Sequence, residues 1–139
     1  MIDRAYYKSN IAAFLVASRD EIFGELAHKH YFTLDITQKN AWIDEITKLK
    51  EHLCDFRDGD IFLEFSIPRM GKRVDVLLII DGVIFVVEYK AGAKNRDRYA
   101  VDQVTDYALD LKNFHVGSHD KYIVPILVST KATIEYRII

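Results

Sequence analysis

The stretch Asp75-Val76-Leu77-Leu78-Ile79-Ile80-Asp81-Gly82-Val83-Ile84-Phe85-Val86-Val87-Glu88-Tyr89-Lys90 decides the fold. It joins two β-rich runs, Lys72 to Ile80 and Val83 to Lys90, through Asp81-Gly82. An Asp-Gly pair between such runs signals a tight hairpin, because a type I′ turn needs positive φ at both central positions. Both runs are apolar on both faces, which predicts central strands covered on each side. With a two-residue turn, Ile80 faces Val83, and counting outward brings Asp75 opposite Glu88. Directly opposed residues share a face, with Cβ atoms about 4.5–5.5 Å apart. Lys90 follows Glu88 by two and projects from that same face, among Leu77, Ile79, Ile84 and Val86.

Like charges so placed repel. An internal ion-pair cluster is the ordinary reading of a carboxylate pair beside a lysine. One lysine, however, does not neutralise two acids. A bound divalent cation does, and hard oxygen ligands suit Mg²⁺ or Mn²⁺.

Outward from the hairpin, Ile61 to Ile67 reads as a strand ended by Pro68. A helix follows the hairpin, with Val101, Val104, Ala108 and Leu111 on its buried face, and Tyr122 to Ser129 reads as a further strand. Residues 1–57 form a helical front. There Ser18 and Glu21 have capping-box spacing ahead of Ile22, Phe23 and Leu26. Ile11, Phe14 and Leu15 suggest a short helix before it. A third helix, capped by Asp35 or Thr37, carries the stripe Trp42, Ile46, Leu49 and Leu53. Residues 58–139 form the sheet-containing core. No repeat or Pro/Gly/Ser-rich linker separates the two parts, so we expect one domain, an α/β sandwich with a mixed sheet.

These residues resemble a known family. Asp75, a hairpin and then Glu88-Tyr89-Lys90 look like the Asp…Glu-x-Lys signature of the PD-(D/E)XK nuclease superfamily, with Val74-Asp75 in place of its Pro-Asp pair. The order helix, three strands, helix, strand matches the common core of that superfamily over roughly residues 36–130. Gln103-Val104-Thr105-Asp106-Tyr107 matches the Gln-x-x-x-Tyr motif of its RecB-like branch, and residues at i and i+4 are neighbours on a helix. The whole chain is also similar to the N-terminal module of a bacterial group in which a Schlafen-like helicase/ATPase domain follows. Nothing in it resembles a Walker A loop, so the helicase part is absent, and the chain is expected to be the N-terminal part of a longer nuclease–helicase protein or else a shortened relative.

The resemblance implies a restriction-endonuclease-like core, a mixed central β-sheet flanked by helices, here with an N-terminal helical extension. It implies a Mg²⁺- or Mn²⁺-dependent nuclease acting on phosphodiester bonds of nucleic acid, DNA in preference to RNA. Asp75, Glu88 and the carbonyl of Tyr89 are the implied metal ligands. Lys90 is implied to position a water or neutralise developing charge, and Gln103 and Tyr107 to orient the phosphate or Lys90. An acid from the helix before the first strand often completes such sites. Glu25 and Glu45 are the candidates, and Glu64 is a third, because a two-residue turn at Met70-Gly71 puts it on the face of Asp75.

Charge placement agrees with such a site. Arg69, Lys72 and Arg73 precede the Asp75 strand, and Lys94, Arg96 and Arg98 follow the Glu88 strand, so an antiparallel hairpin gathers both groups at one end. A basic rim is what a phosphodiester backbone requires. His28 and His30 lack zinc-ligand spacing, Tyr6 and Tyr7 are read as packing residues, and Cys54 as a small buried or helix-end residue.

The net charge of −2 argues against a blanket electrostatic binder. The single cysteine rules out an intrachain disulfide and fits a reducing compartment. No apolar run is long enough for a membrane span, and the N-terminus lacks signal-peptide features, so a cytoplasmic protein without a membrane partner is expected. The alternative function is a catalytically inactive nucleic-acid-binding or regulatory interaction module of the same fold.

Overall fold

The computed structural model describes residues 4–29, 36–67, 70–90, 98–114, 120–129 and 135–136. In chain order its elements are β1 (Tyr7–Asn10), α1 (Ile11–Val16), α2 (Arg19–Lys29), α3 (Ile36–Leu53), β2 (Asp60–Ile67), β3 (Lys72–Ile80), β4 (Val83–Lys90), α4 (Arg98–Phe114), β5 (Ile123–Ser129) and β6 (Glu135–Tyr136).

The strands form one mixed sheet in the order β1-β2-β3-β4-β5-β6, with the two-residue β6 at its edge. All neighbours run antiparallel except β4 and β5, which are parallel. A parallel pair needs a crossover, and α4 supplies it. The expected α/β architecture, a mixed sheet flanked by helices, is therefore present. Among the described residues no helix is long and apolar enough to cross a membrane.

The hairpin forms as its sequence dictates. Asp81 at φ 52° and Gly82 at φ 77° make the turn, and Ile80 pairs with Val83. Two apolar layers cover the sheet. One sits under α1–α3 and includes Phe14, Ile22, Leu26, Trp42, Ile46 and Leu49. The other sits under α4 and includes Val104, Tyr107, Ala108 and Leu111.

Local signals explain two of the four helix starts among the described residues. The Glu21 N–H donates to Ser18 Oγ at 3.1 Å, the predicted cap of α2. Asn10 caps α1, accepting from the Ala13 N–H at 2.7 Å. Thr37 lies within α3 and so is not its cap, while Asp35 falls outside the described residues. Two strands went unpredicted, the edge strands β1 and β6. Gly59, just before β2, sits at φ 125°, and a Cβ there would meet the Ile79 carbonyl at 2.6 Å.

The β2–β3 connection differs from expectation. Ile67 pairs with Lys72, so four residues connect the strands rather than the two expected at Met70-Gly71. Leu63 pairs with Val76 and Phe65 with Val74, which sets Glu64 across from Asp75.

The short α1 is closed from outside. Lys50 of α3 donates to the carbonyls of Phe14, Leu15 and Ala17 at 2.6, 3.2 and 2.6 Å, and its ammonium lies 4.8 Å from the Phe14 ring centroid. These carbonyls lie at the C-terminal end of α1, where helical partners run out. Hydrogen bonds to a charged donor contribute roughly 1.5–3 kcal/mol net. Lys50→Met keeps the stem and removes the donor, so it should cost about 2 kcal/mol, which a thermal melt would read as a drop of roughly 4–10 °C. An unchanged melting temperature would show that α1 needs no such closure.

Candidate functional site

The β3–β4 ladder ends one rung short of the predicted acids. Val76 and Val87 are its last pair. Beyond them side chains replace backbone partners: the Asp75 N–H donates to Glu88 Oε1 at 3.2 Å, and the Tyr89 N–H donates to Asp75 Oδ2 at 2.9 Å. Asp75 and Glu88 thus lie side by side, as counting from the turn predicts.

The two carboxyls also hydrogen-bond to each other. Burial first, and the Asp75 charge second, push the Glu88 carboxyl up to about 10. Burial raises Asp75 too, against the hydrogen bonds from Glu88 and the Tyr89 N–H and against the charge of Lys90, all of which hold it down. A proton shared between two such acids relieves their repulsion, since both do not ionise readily at contact.

Two further acids complete the cluster. Glu64 occupies the left-handed region at φ 55°, a conformation that costs a residue with a side chain on the order of 1–3 kcal/mol. Its carboxyl is pushed up to about 7, by burial and then by Asp75, against a hydrogen bond from Trp42 and the charge of Arg73. That hydrogen bond runs from the Trp42 indole N–H to Glu64 Oε1 at 3.0 Å.

Glu45 of α3 is the only buried charged residue among those described, at 7% exposure. Its Oε1 has no hydrogen-bond partner. Burial, followed by the charges of Asp75, Glu64 and Glu88, raises its carboxyl well above the ordinary range. Of the three acids weighed from sequence, Glu45 and Glu64 therefore join the pair. Glu25 is exposed on α2, and the group its charge reaches is Tyr7.

The backbone outlier at Glu64 coincides with a change of face. Ile61 and Leu63 pack in the layer under α1–α3, whereas Phe65 and Ile67 pack under α4. β3 makes the same change, with Val76 in the first layer and Val74 in the second. Strict alternation thus holds along β4 but not through this level of β2 and β3. Glu64 and Asp75 sit where the strands roll over, and both layers reach them. Trp42 arrives from α3. Tyr107 arrives from α4, 3% exposed, with its hydroxyl raised to about 12 by burial and then by Glu88, Asp75, Tyr99 and Glu64.

The remaining predicted residues are placed as follows. Lys90 is half-buried and its charge acts on Asp75. Gln103 is half-buried on α4, one turn before Tyr107. Tyr89 contributes its N–H to Asp75, while its ring lies in the opposite layer with its hydroxyl 3.5 Å from His52 Nδ1. Cys54 is exposed just after α3, so it is a helix-end residue and not a buried one.

One member of the expected basic rim is engaged elsewhere. Arg73 turns away from it, donating to the carbonyls of Arg4 and Glu64 at 3.0 and 2.6 Å and covering the Tyr6 ring at 4.1 Å. Lys72 and Arg98 are exposed. Arg69, Lys94 and Arg96, like His30, lie outside the described residues.

Four carboxylates from four successive elements, with one buried oxygen lacking a partner, make a donor set that fits a hard divalent cation. Among the described residues, no three Asp, Glu, His or Cys side chains already stand as an assembled metal shell. Asp75 and Glu88 are engaged instead with backbone amides and with each other. No protein-family model matches this chain, and no curated protein or solved structure matches it either.

The raised carboxyls set the sign of a pH dependence. Glu64 and Glu88 hold protons in the folded chain at pH values where the unfolded chain has released them. Stability without metal is therefore greatest below about pH 4.5, falls as pH rises toward 7 through both groups, and falls further toward 10 through Glu88. Melting in EDTA across pH 5 to 9 should show this decline, and Glu88→Gln should melt higher than the parent at pH 8 and flatten the slope. A melting temperature that climbs with pH over this window would refute the acid cluster.

Proposed function

We propose that the chain is a Mg²⁺- or Mn²⁺-dependent nuclease with a restriction-endonuclease-like core of the PD-(D/E)XK type, cleaving phosphodiester bonds in DNA. The observation that carries this reading is the partnerless, buried Glu45 oxygen beside Asp75, Glu64 and Glu88. Four acids face the one lysine whose charge acts on Asp75. That imbalance favours a cation site over a self-contained ion-pair cluster.

In this reading Asp75 and Glu88 hold the cation, with the Tyr89 carbonyl, and Glu45 and Glu64 complete the acidic wall. When bound, the cation supplies charge neutralisation at the phosphoryl oxygens and lowers the pKa of an attacking water. Lys90, half-buried at the end of β4, offsets the charge that develops on the phosphate. The Tyr107 hydroxyl, kept protonated well past neutral pH, donates to phosphate or orients Lys90, and Gln103 supports it from one turn away. Exposed Lys72 and Arg98 draw the nucleic-acid backbone toward the site.

Cleavage of labelled single- and double-stranded DNA and RNA with Mg²⁺, Mn²⁺ or EDTA is the direct test. The metal should also raise the melting temperature, with linkage adding about 2.7 kcal/mol at 100 times the dissociation constant. Lys90→Ala should keep metal binding yet lose on the order of 10²–10³ in rate, because its charge acts mainly on the transition state. Asp75→Ala and Glu88→Ala should lose metal binding and cleavage together. Parent and variants cutting at equal rates would exclude this site. Tight, metal-dependent DNA binding without turnover would instead make the chain a binding module.

A further inference from the structure

Resting on the nuclease reading, we propose that Glu64 is a metal-positioning acid supplied by β2, and that Trp42 and Arg73 are the positioning residues that set it. Both ends of Glu64 are held. Its carbonyl accepts from Arg73 Nη1 at 2.6 Å and its carboxylate from the Trp42 indole at 3.0 Å. Each holder is itself braced. Arg73 binds the Arg4 carbonyl and stacks on Tyr6, and Trp42 meets Phe23 of α2 edge-on at 6.2 Å between centroids.

A left-handed backbone at a residue with a side chain persists when the surroundings over-determine it, and such residues concentrate at functional sites. Here the segment before β1, α2 and α3 all converge on one glutamate. Its left-handed backbone coincides with the roll-over that sets it across from Asp75. Glu64 Oε1 is taken by Trp42, while the partnerless, buried Glu45 oxygen feels the same acids. A cation bound by Asp75 and Glu88 therefore meets Glu64 at a pre-set position. The segment before β1 and the helix α2 thus brace the site, although neither contributes an acid to it.

The chain contains one tryptophan, and it lies one hydrogen bond from the proposed ligand. Titrating Mg²⁺ or Mn²⁺ into the full chain should change Trp42 emission saturably, over the concentrations that support DNA cleavage. Glu64→Gln is nearly isosteric and keeps an acceptor for Trp42, yet it should raise the half-saturating Mg²⁺ concentration about 10–100-fold. Trp42→Phe removes the reporter, so its half-saturation and that of the double variant are read from DNA cleavage against Mg²⁺ concentration. This substitution should raise the half-saturating concentration as well, in the range typical of outer partners of metal ligands, with a smaller effect on the rate at saturating metal. Combined with Glu64→Gln it should add little, because the two act through one carboxylate.

An unchanged half-saturation in Glu64→Gln, with binding abolished in Glu88→Gln, would overturn this inference and leave the nuclease reading intact. Unaltered metal binding in both variants would sink both. Additive effects of Trp42→Phe and Glu64→Gln would reduce Trp42 to a packing residue. Should Trp42→Phe fail to fold, the Glu64→Gln titration alone decides whether Glu64 holds metal.

Discussion

The repulsion between Asp75 and Glu88 is the constraint around which the rest is arranged. Two acids at the end of an otherwise apolar hairpin lose hydration and face one another, and each penalty alone is enough to raise a carboxyl pKa. The chain answers in several partial ways. Backbone amides that would have paired across the ladder donate to the carboxylates instead. The two acids hydrogen-bond to each other, and Lys90 lends its charge to Asp75. None of these answers reaches Glu45, whose oxygen stays without a donor.

The local geometry follows from that crowding. A regular β2 paired with a regular β3 would send alternate side chains to fixed faces, and Glu64 and Asp75 would serve a single layer. The left-handed Glu64 breaks this pattern, and the two strands exchange faces together at that level. The sheet thereby opens a position that helices on both sides can reach. Trp42 and Glu45 come from α3, Tyr107 from α4. The apolar layers above and below are what make such strain tolerable, since Ile61, Leu63, Ile67 and Val74 are almost wholly buried on either side of the break.

The hairpin was legible in the sequence because its information is local. Asp81-Gly82 fixes a turn, the turn fixes a register, and the register places Asp75 beside Glu88. The cap at Ser18 and the stripe on α3 are local in the same sense. What failed was non-local. The strand β1 is four residues long and is defined by its pairing with β2, at least fifty positions later. The choice among Glu25, Glu45 and Glu64 depended on how α3 rolls against the sheet and on a four-residue connection after β2. Arg73 read as a rim cation because its partner, the Arg4 carbonyl, lies 69 positions earlier in the chain. Trp42 read correctly as core, yet a hydrophobic stripe records the ring and not the direction of its N–H. No residue-type signal marks the left-handed Glu64, which glycine or asparagine would have advertised.

Charge balance separates a metal site from a structural ion cluster. A self-sufficient cluster pairs each buried carboxylate with a cation or a full set of donors, because an unpaired buried charge is strongly destabilising. Here Glu45, Glu64, Asp75 and Glu88 interact with one another, and the cations that act on them are Lys90 and an Arg73 whose guanidinium already donates to two carbonyls. The acids must therefore keep protons at neutral pH or accept a further positive charge. Each proton neutralises one acid, whereas a divalent cation in the proposed site would offset two charges at once beside the partnerless Glu45 oxygen.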